Sequence, residues 1–598
     1  MLKKISCLFV FAFTLSGILS LGQPAPGAAA TPQQVVTEKN VAMKTRDGVT
    51  LRADIYRPAG EGSYPVLLTR TPYDKTNMAG IGQRGAARGF MVVAQDVRGR
   101  YNSEGEWYPF KYETADGYDT VEWAAALPHS NGKVGMFSGS YGGATQMLAA
   151  IAHPPHLAGI CPIVTASNYH ENWTYQGGAF EQWFNESWTS GLAQDTLNRA
   201  IQKDTNALVG STVLPLNQYP IFNLRTPRDG VALTHALAPY FQDWLDHPLY
   251  DDYWKQWSIE ENFQNIQVPA LTIAAWYDIF QGGSLRNYMG LKGHAGNEAA
   301  LNGQHLIVAI GGHSGWGRTI GQVDFGPQAP FDENAMVLDW YDYLFLGKQN
   351  EFANGKPVKI FVMGKNEWRF EDSWPLERAQ SRKYFLHSSG NANSVVGDGT
   401  ISLVAPRTDE VDSYVYDPAN PVPTVGGPLC CDGTHLAGGP RNQQQIELRK
   451  DVLVYSTPPL DQDFEVTGPV TLDLYASSSA MDTDFTGKLV DVGPDGTAIN
   501  LTEGILRARY RESTEGAPKP IAPGQVYEYK IDLWSTSNVF LKGHRIRLEV
   551  SSSNFPRFDR NLNTGKDASS SSEFVKATNT IFHDAQHPSA LVLPVVAQ

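Results

Sequence analysis

Lys133-Val-Gly-Met-Phe-Ser-Gly-Ser-Tyr-Gly-Gly-Ala144 is the stretch on which the fold turns. It opens as a short apolar run and continues as small, glycine-rich residues ahead of a helix-forming segment, Ala144 to Ala152. A strand that bends sharply into a helix, with Ser140 at the apex, is the pattern of a nucleophile elbow. Such a turn is too tight for bulky flanking side chains. It holds the hydroxyl up at a sheet edge, beside the positive end of the helix. Position 138 carries Ser where the G-x-S-x-G pattern has Gly. A glycine-rich turn in some other α/β protein has the same outline, so the partners of Ser140 decide the reading.

A nucleophilic serine needs a base, and the base needs an orienting carboxylate; in this fold their chain order is Ser, then Asp or Glu, then His. Two later apolar runs, Ala270 to Ala275 and Leu306 to Ile310, end just before Asp278 and His313. Both residues therefore emerge at C-terminal strand ends, the edge that carries Ser140. His305 precedes its run and belongs at the opposite edge. Asp96 also ends an apolar run, but it comes before Ser140, and neighbouring Arg98 and Arg100 point to an ion-pair loop. An oxyanion hole needs donors aimed at the developing alkoxide. Tyr141 supplies its backbone N–H. The second donor is expected from the loop Arg70 to Lys75, which has no glycine run, leaving the Tyr73 phenol; spacing alone fits a packed loop residue equally well.

Around this centre the chain reads as alternating strands and helices. Residues 35 to 58 alternate about a turn at Gly48, a β-hairpin. Apolar runs at Tyr64 to Thr69, Gly89 to Ala94 and Val134 to Phe137, with a helical stretch at Gly117 to Leu127, indicate a parallel sheet covered on both faces. Residues 169–262 interrupt that pattern with tryptophan-rich helical sequence, read as a cap inserted between the two parts of an α/β-hydrolase domain, 31–168 and 263–356. Residues 357–598 carry short alternating segments broken by Gly and Pro, read as a jelly-roll β-sandwich.

At 598 residues the chain is too long for one ordinary core. Residues 1–30 read as a signal peptide: Lys3 and Lys4, an apolar run from Leu8 to Leu21, then small residues to Ala30. That run is short for a membrane span, and Cys7 sits too early in it for a lipoprotein anchor. A secreted or periplasmic protein is expected, without a membrane anchor. The formal charge of −14, with no basic tract, argues against a nucleic-acid partner. Cys161, Cys430 and Cys431 are too few for a disulfide scaffold; the adjacent pair fits a vicinal disulfide or two free thiols in a loop. No metal site is predicted, since His583 and His587 stand i, i+4 without an H-E-x-x-H context. The chemistry calls for no cofactor.

Beyond the elbow, the chain carries Arg70-Thr-Pro-Tyr73, Gln95-Asp-Val-Arg-Gly-Arg100, Asp116-Gly-Tyr-Asp119, Trp276-Tyr-Asp278, His313-Ser314, Pro421-Val-Pro-Thr-Val-Gly-Gly427, Asp482-Thr-Asp-Phe485 and Gly504-Ile-Leu-Arg-Ala-Arg-Tyr510. In these it resembles the cocaine esterase / X-Pro dipeptidyl-peptidase-like (CocE/NonD) serine hydrolases, which include α-amino acid ester hydrolases and glutaryl-cephalosporin acylases. The resemblance implies an α/β-hydrolase domain with helical cap, a C-terminal jelly roll, and a Tyr73 hydroxyl that serves the oxyanion. It departs at residues 279–281, Ile-Phe-Gln, where α-amino ester hydrolases carry acids that hold the substrate ammonium. An aromatic at position 280 is similar to the cocaine-esterase pattern of an apolar acyl pocket. Phe280 with Trp173, Trp183 and Trp188 is the candidate pocket; the alternative is that these tryptophans fill the cap's own core. The expected function is hydrolysis of a small ester or amide through an acyl-enzyme, ester favoured. The alternatives are an acylase or X-Pro-type dipeptidyl-peptidase using the same triad, and a non-catalytic exported carbohydrate-binding protein.

Overall fold

The computed structural model describes residues 34–203, 237–313, 315–408 and 410–597. The expected leader and part of the helical insertion lie outside them, as does Ser314.

Ten strands form the backbone of the first sheet. They are β1 (Val35–Lys44), β2 (Thr50–Pro58), β3 (Tyr64–Thr71), β4 (Met91–Asp96), β5 (Ser130–Gly139), β6 (Leu157–Ile163), β7 (Ala270–Tyr277), β8 (Gln304–Gly312), β9 (Val358–Val362) and β10 (Glu367–Glu371). Their order is β1-β2-β4-β3-β5-β6-β7-β8-β9-β10. From β4 to β9 every neighbouring pair is parallel, while the β1–β2 hairpin and β10 add antiparallel edges. Gly48 makes the hairpin turn at φ +91°, a conformation that costs glycine little.

Alternation along the strands explains how both faces are covered. Val66 and Leu68 join one core with Val121 and Ala124 of α2 (Glu113–Ala125) and Met147 and Leu148 of α3 (Tyr141–Ile151). Leu67, between them, joins the opposite core with Ile81 of α1 (Ala79–Ala87) and with Val337, Leu338 and Tyr341 of the helix Glu333–Leu346. Successive side chains on a strand point to opposite faces, so both faces of a parallel strand must be apolar.

The first sheet runs further than expected. The sequence reading ended this part at 356, but Val358–Val362 pairs parallel with β8, Leu306 opposite Val358. Val358, Ile360, Phe361 and Val362 are all buried there, which makes β9 an interior strand. Strands from Ala379–His387 to Ala590–Val596 then build a second, almost wholly antiparallel sheet, an all-β C-terminal domain. Its long strand Phe464–Ser478 pairs with Tyr527–Phe540, Ala577–Phe582 and Ala590–Val596. The largest apolar cluster joins the two sheets, placing Val308, Ile310 and Phe361 with Leu472, Phe485 and Leu533.

Within the insertion, the helices Gln182–Lys203 and Pro239–Asp246 bury Trp183, Trp188 and Trp244. A short ribbon, Tyr175–Gln176 against Ala179–Phe180, abuts the C-terminal domain so closely that a Cβ on Gly177 would meet the Ile505 carbonyl at 2.1 Å. His583 and His587 have separate partners, Asp412 for the buried His583 and Asp584 for His587. Cys430 and Cys431 are bonded as a vicinal disulfide.

Candidate active site

Ser140 sits between β5 and α3 with φ 58° and ψ −126°, a strained conformation for a residue with a side chain. Its N–H donates to the Ile163 carbonyl at 2.9 Å, and its carbonyl accepts from Gly143 and Ala144. The elbow is packed through its small residues. A Cβ on Gly142 would lie 2.5 Å from Ser138 Oγ, and one on Gly143 would lie 2.7 Å from Thr165. Ser138 itself adopts φ 153°, a region that favours glycine.

The structure brings Asp278 and His313 to the same place. His313 Nε2 is 2.9 Å from Ser140 Oγ, and its Nδ1 is 2.6 Å from Asp278 Oδ2. Asp278 is fully buried, and its other oxygen accepts the Phe280 N–H at 2.7 Å. The carboxylate is thus aimed at the imidazole by the first turn that follows β7. His305 lies near the start of β8, packed on Trp340, Tyr343 and Phe352, and burial lowers its pKa to about 4.

Tyr73 accepts a 2.9 Å hydrogen bond from Trp188 Nε1. An indole only donates, so the phenol keeps its own proton for another acceptor. Burial raises its pKa, and hydrogen bonds with Trp188 and Ser140 act against that rise. The phenol therefore remains protonated at neutral pH. The Tyr141 N–H stands at the first position of α3, where helical N–H groups lack an intrahelical acceptor. Its side chain points away into a buried network: the hydroxyl donates to Glu113 Oε1 at 3.0 Å and accepts the Phe110 N–H at 2.7 Å, and Glu113 pairs with Arg70 at 2.6 Å. Desolvation raises the Glu113 pKa, with Arg70 opposing it. This network clamps the residue after the nucleophile. The only sequence signal for it was polar residues, Arg70 and Glu113, set among apolar elements.

Three of the four candidate pocket residues adjoin one another. Phe280 meets the His313 ring edge-on at 5.0 Å and stacks on Trp173 at 4.5 Å; Trp173 meets Trp188 at 5.5 Å. Trp183 is buried at the start of the same helix as Trp188, but its backbone N–H bonds Pro556 of the C-terminal domain. Its neighbour Phe184 instead packs on Trp173 and Phe280, at 5.3 Å from each, because one helical step turns it toward them. Phe184 went unnoticed in the sequence.

Asp96 also differs from expectation. Its cation is Lys75, whose Nζ lies 3.1 Å from Oδ2 and whose N–H bonds Oδ1. Arg98 pairs with Asp116 and Asp47, and Arg100 bonds the Pro72 and Leu192 carbonyls. Among the described residues no cluster of three or more His, Cys, Asp or Glu side chains is placed to hold a metal.

The family model of the X-Pro dipeptidyl-peptidase (S15 family) matches residues 47–315, and that of the X-Pro dipeptidyl-peptidase C-terminal non-catalytic domain matches residues 350–592. Cocaine esterase of Rhodococcus sp. (strain MB1 Bresler) is 39% identical over 572 residues, which is 93% of this chain and 98% of that protein. Among solved structures, an aminopeptidase from the marine sediment archaeon Thaumarchaeota archaeon superposes with TM-score 0.80 and 25% identity, covering 96% of this chain and 98% of its own. An α-amino acid ester hydrolase superposes with TM-score 0.79 at 24% identity and the same coverage, a likeness of fold. The chain is thus a hydrolase and belongs to the serine-hydrolase family of cocaine esterase and the X-Pro dipeptidyl-peptidases.

Proposed function

We propose that this protein is an exported esterase that cleaves small esters with an apolar acyl group, through an acyl-enzyme on Ser140. The observation that carries the reading is the imidazole of His313, held between Ser140 and Asp278 at 2.9 and 2.6 Å. His313 Nε2 takes the proton as Ser140 Oγ attacks the carbonyl carbon. The oxygen that gains charge is held by the Tyr141 N–H and the Tyr73 hydroxyl. His313 then protonates the leaving alcohol; in the second half it takes a proton from water, which attacks the acyl carbonyl carbon, and it returns that proton to Ser140 Oγ as the C–Oγ bond breaks and the acid leaves. Asp278 holds the imidazole in its tautomer and supports its positive charge.

Phe280, Trp173, Phe184 and Trp188 beside His313 favour an apolar or aromatic acyl group, and we read the helices of the insertion as the cap over it. Recognition of a free ammonium has no support at residues 279–281: Gln281 spends its amide on the Trp276 and Ser535 carbonyls, and Ile279 and Phe280 are buried. Amide hydrolysis by the same triad is the alternative that a substrate panel separates. Export rests on the N-terminal sequence and is supported by the Cys430–Cys431 bond, which persists in an oxidising compartment. The jelly roll remains our reading of the C-terminal sheet.

The test is a matched series of p-nitrophenyl esters, acetyl, benzoyl and phenylacetyl, with a glutaryl amide and a free-amino aminoacyl ester. The benzoyl or phenylacetyl ester is expected to exceed the aminoacyl ester in kcat/KM by about 100-fold, the order of discrimination an apolar pocket gives against an added polar group. Preference for the aminoacyl ester or the amide would replace the esterase reading.

Tyr73→Phe tests the oxyanion role separately. Removing one donor from such a site costs about 10²–10³ in kcat with little change in KM. A loss confined to KM would make Tyr73 a pocket residue that only packs against Trp188.

A further inference from the structure

Away from Ser140, the first sheet and the C-terminal domain border an open cavity of about 500 Å³. Its apolar wall draws on both. Tyr277 is the last residue of β7, next to Asp278, and Val323 and Phe325 come from the segment that follows His313. Met363 follows β9, and Ile499 and Leu501 belong to the C-terminal domain. Tyr277 lines this cavity, while Asp278, the next residue, serves the imidazole. The volume lies within the range of small-molecule sites.

The polar groups of the cavity are few and one-sided. Asp491 stands in its wall, each carboxylate oxygen accepting one hydrogen bond, from His544 Nδ1 at 2.7 Å and from Asn538 Nδ2 at 3.2 Å. A carboxylate has about four acceptor positions, so Asp491 retains capacity. Asp495 adds a second carboxylate at the exposed rim. Asn366 Oδ1 is buried against the cavity with no hydrogen-bond partner among the described residues, an acceptor waiting for a donor. No Lys or Arg lines the cavity among the described residues. Two carboxylates against one histidine leave it negative in either state of His544.

We infer that this cavity is a second, non-catalytic binding site for a compact apolar molecule carrying a protonated amine. The apolar wall takes the body, and the ammonium supplies both the positive charge that Asp491 and Asp495 favour and the N–H that Asn366 Oδ1 lacks. The site is independent of the hydrolytic reading, because binding there requires no turnover.

The test uses full-length Ser140→Ala protein, titrated calorimetrically with 2-phenylethylamine, 2-phenylethanol and 3-phenylpropanoate, three charges on one kind of body. The amine is expected to saturate one site and to bind about tenfold tighter than the alcohol, the factor one partly screened charge interaction gives, with the carboxylate weakest. Adding Val323→Trp, which fills the cavity from its rim, abolishes amine binding. Adding Asp495→Asn, whose amide oxygen can still accept the Thr497 N–H that Asp495 now accepts, narrows the amine's advantage over the alcohol. Equal binding of amine and alcohol, absence of a saturable site, or amine binding undiminished by Val323→Trp would each overturn the inference.

Discussion

Replacing Ser140 with Ala is expected to lower kcat for the preferred ester by about 10⁵–10⁶-fold while leaving substrate binding nearly unchanged. The size follows from what the variant keeps. In the proposed mechanism the Tyr141 N–H and Tyr73 hydroxyl would still donate to the carbonyl oxygen, so some acceleration over water is expected to persist. The covalent route is gone, however, and water must attack without a positioned nucleophile. The side chain removed is small and sits in a turn whose conformation is set by the backbone bonds to Ile163, Gly143 and Ala144, so the fold is expected to survive. Steady-state hydrolysis beside a thermal melt checks both halves of the statement. In the parent protein a pre-steady-state burst of p-nitrophenol, one per chain, should appear where deacylation is slow, and it should vanish in the variant. A fall of less than about 100-fold, well short of what loss of a nucleophile costs, would place the nucleophile elsewhere.

Asp278→Asn is expected to cost about 10⁴ in kcat through the tautomer of His313, with a melting temperature close to the parent's. The hydrogen bonds of Asp278 give the reason. The Phe280 N–H points at Oδ1 and must keep an acceptor, so an asparagine there turns its carbonyl oxygen toward Phe280 and its NH₂ toward His313. The imidazole Nδ1 then becomes the acceptor and the proton moves to Nε2. That nitrogen can no longer accept from Ser140 Oγ. Raising the pH does not restore the tautomer as long as the Phe280 N–H fixes the amide. Activity close to the parent's would mean that Asp278 only fills space beneath the imidazole.

How far the sequence could be read depended on whether an effect is local. The elbow, and the positions of Asp278 and His313 after apolar runs, follow from strand period, chain order and the rule that a parallel sheet presents one edge. Those signals lie within a dozen residues of each side chain. The partner of Asp96 did not follow, because Lys75 approaches it from a separate loop, while the nearby arginines turn toward Asp116, Asp47 and backbone carbonyls. Trp183 and Phe184 were hard to separate for a related reason. The helix Gln182–Lys203 buries most of its first half, so no clean apolar stripe marks which residue faces Phe280. The strand Val358–Val362 falls beyond the boundary that texture suggests, since a five-residue segment carries no label for its neighbour. The clamp of Arg70, Glu113 and Tyr141 joins residues 43 and 28 positions apart, and only folding reveals that Thr145 of α3, 75 positions from Arg70, also bonds the Arg70 carbonyl.

The contact between Ser138 and Gly142 has a consequence for how such proteins diverge. With serine at 138, a methyl group at 142 would collide with it; with glycine at 138 that obstacle disappears. The two positions therefore form an epistatic pair, in which the first change decides whether the second is tolerated. With serine at 138, any side chain at 142 forces one of the two to shift. A sequence pattern that treats these two letters as independent misses that coupling.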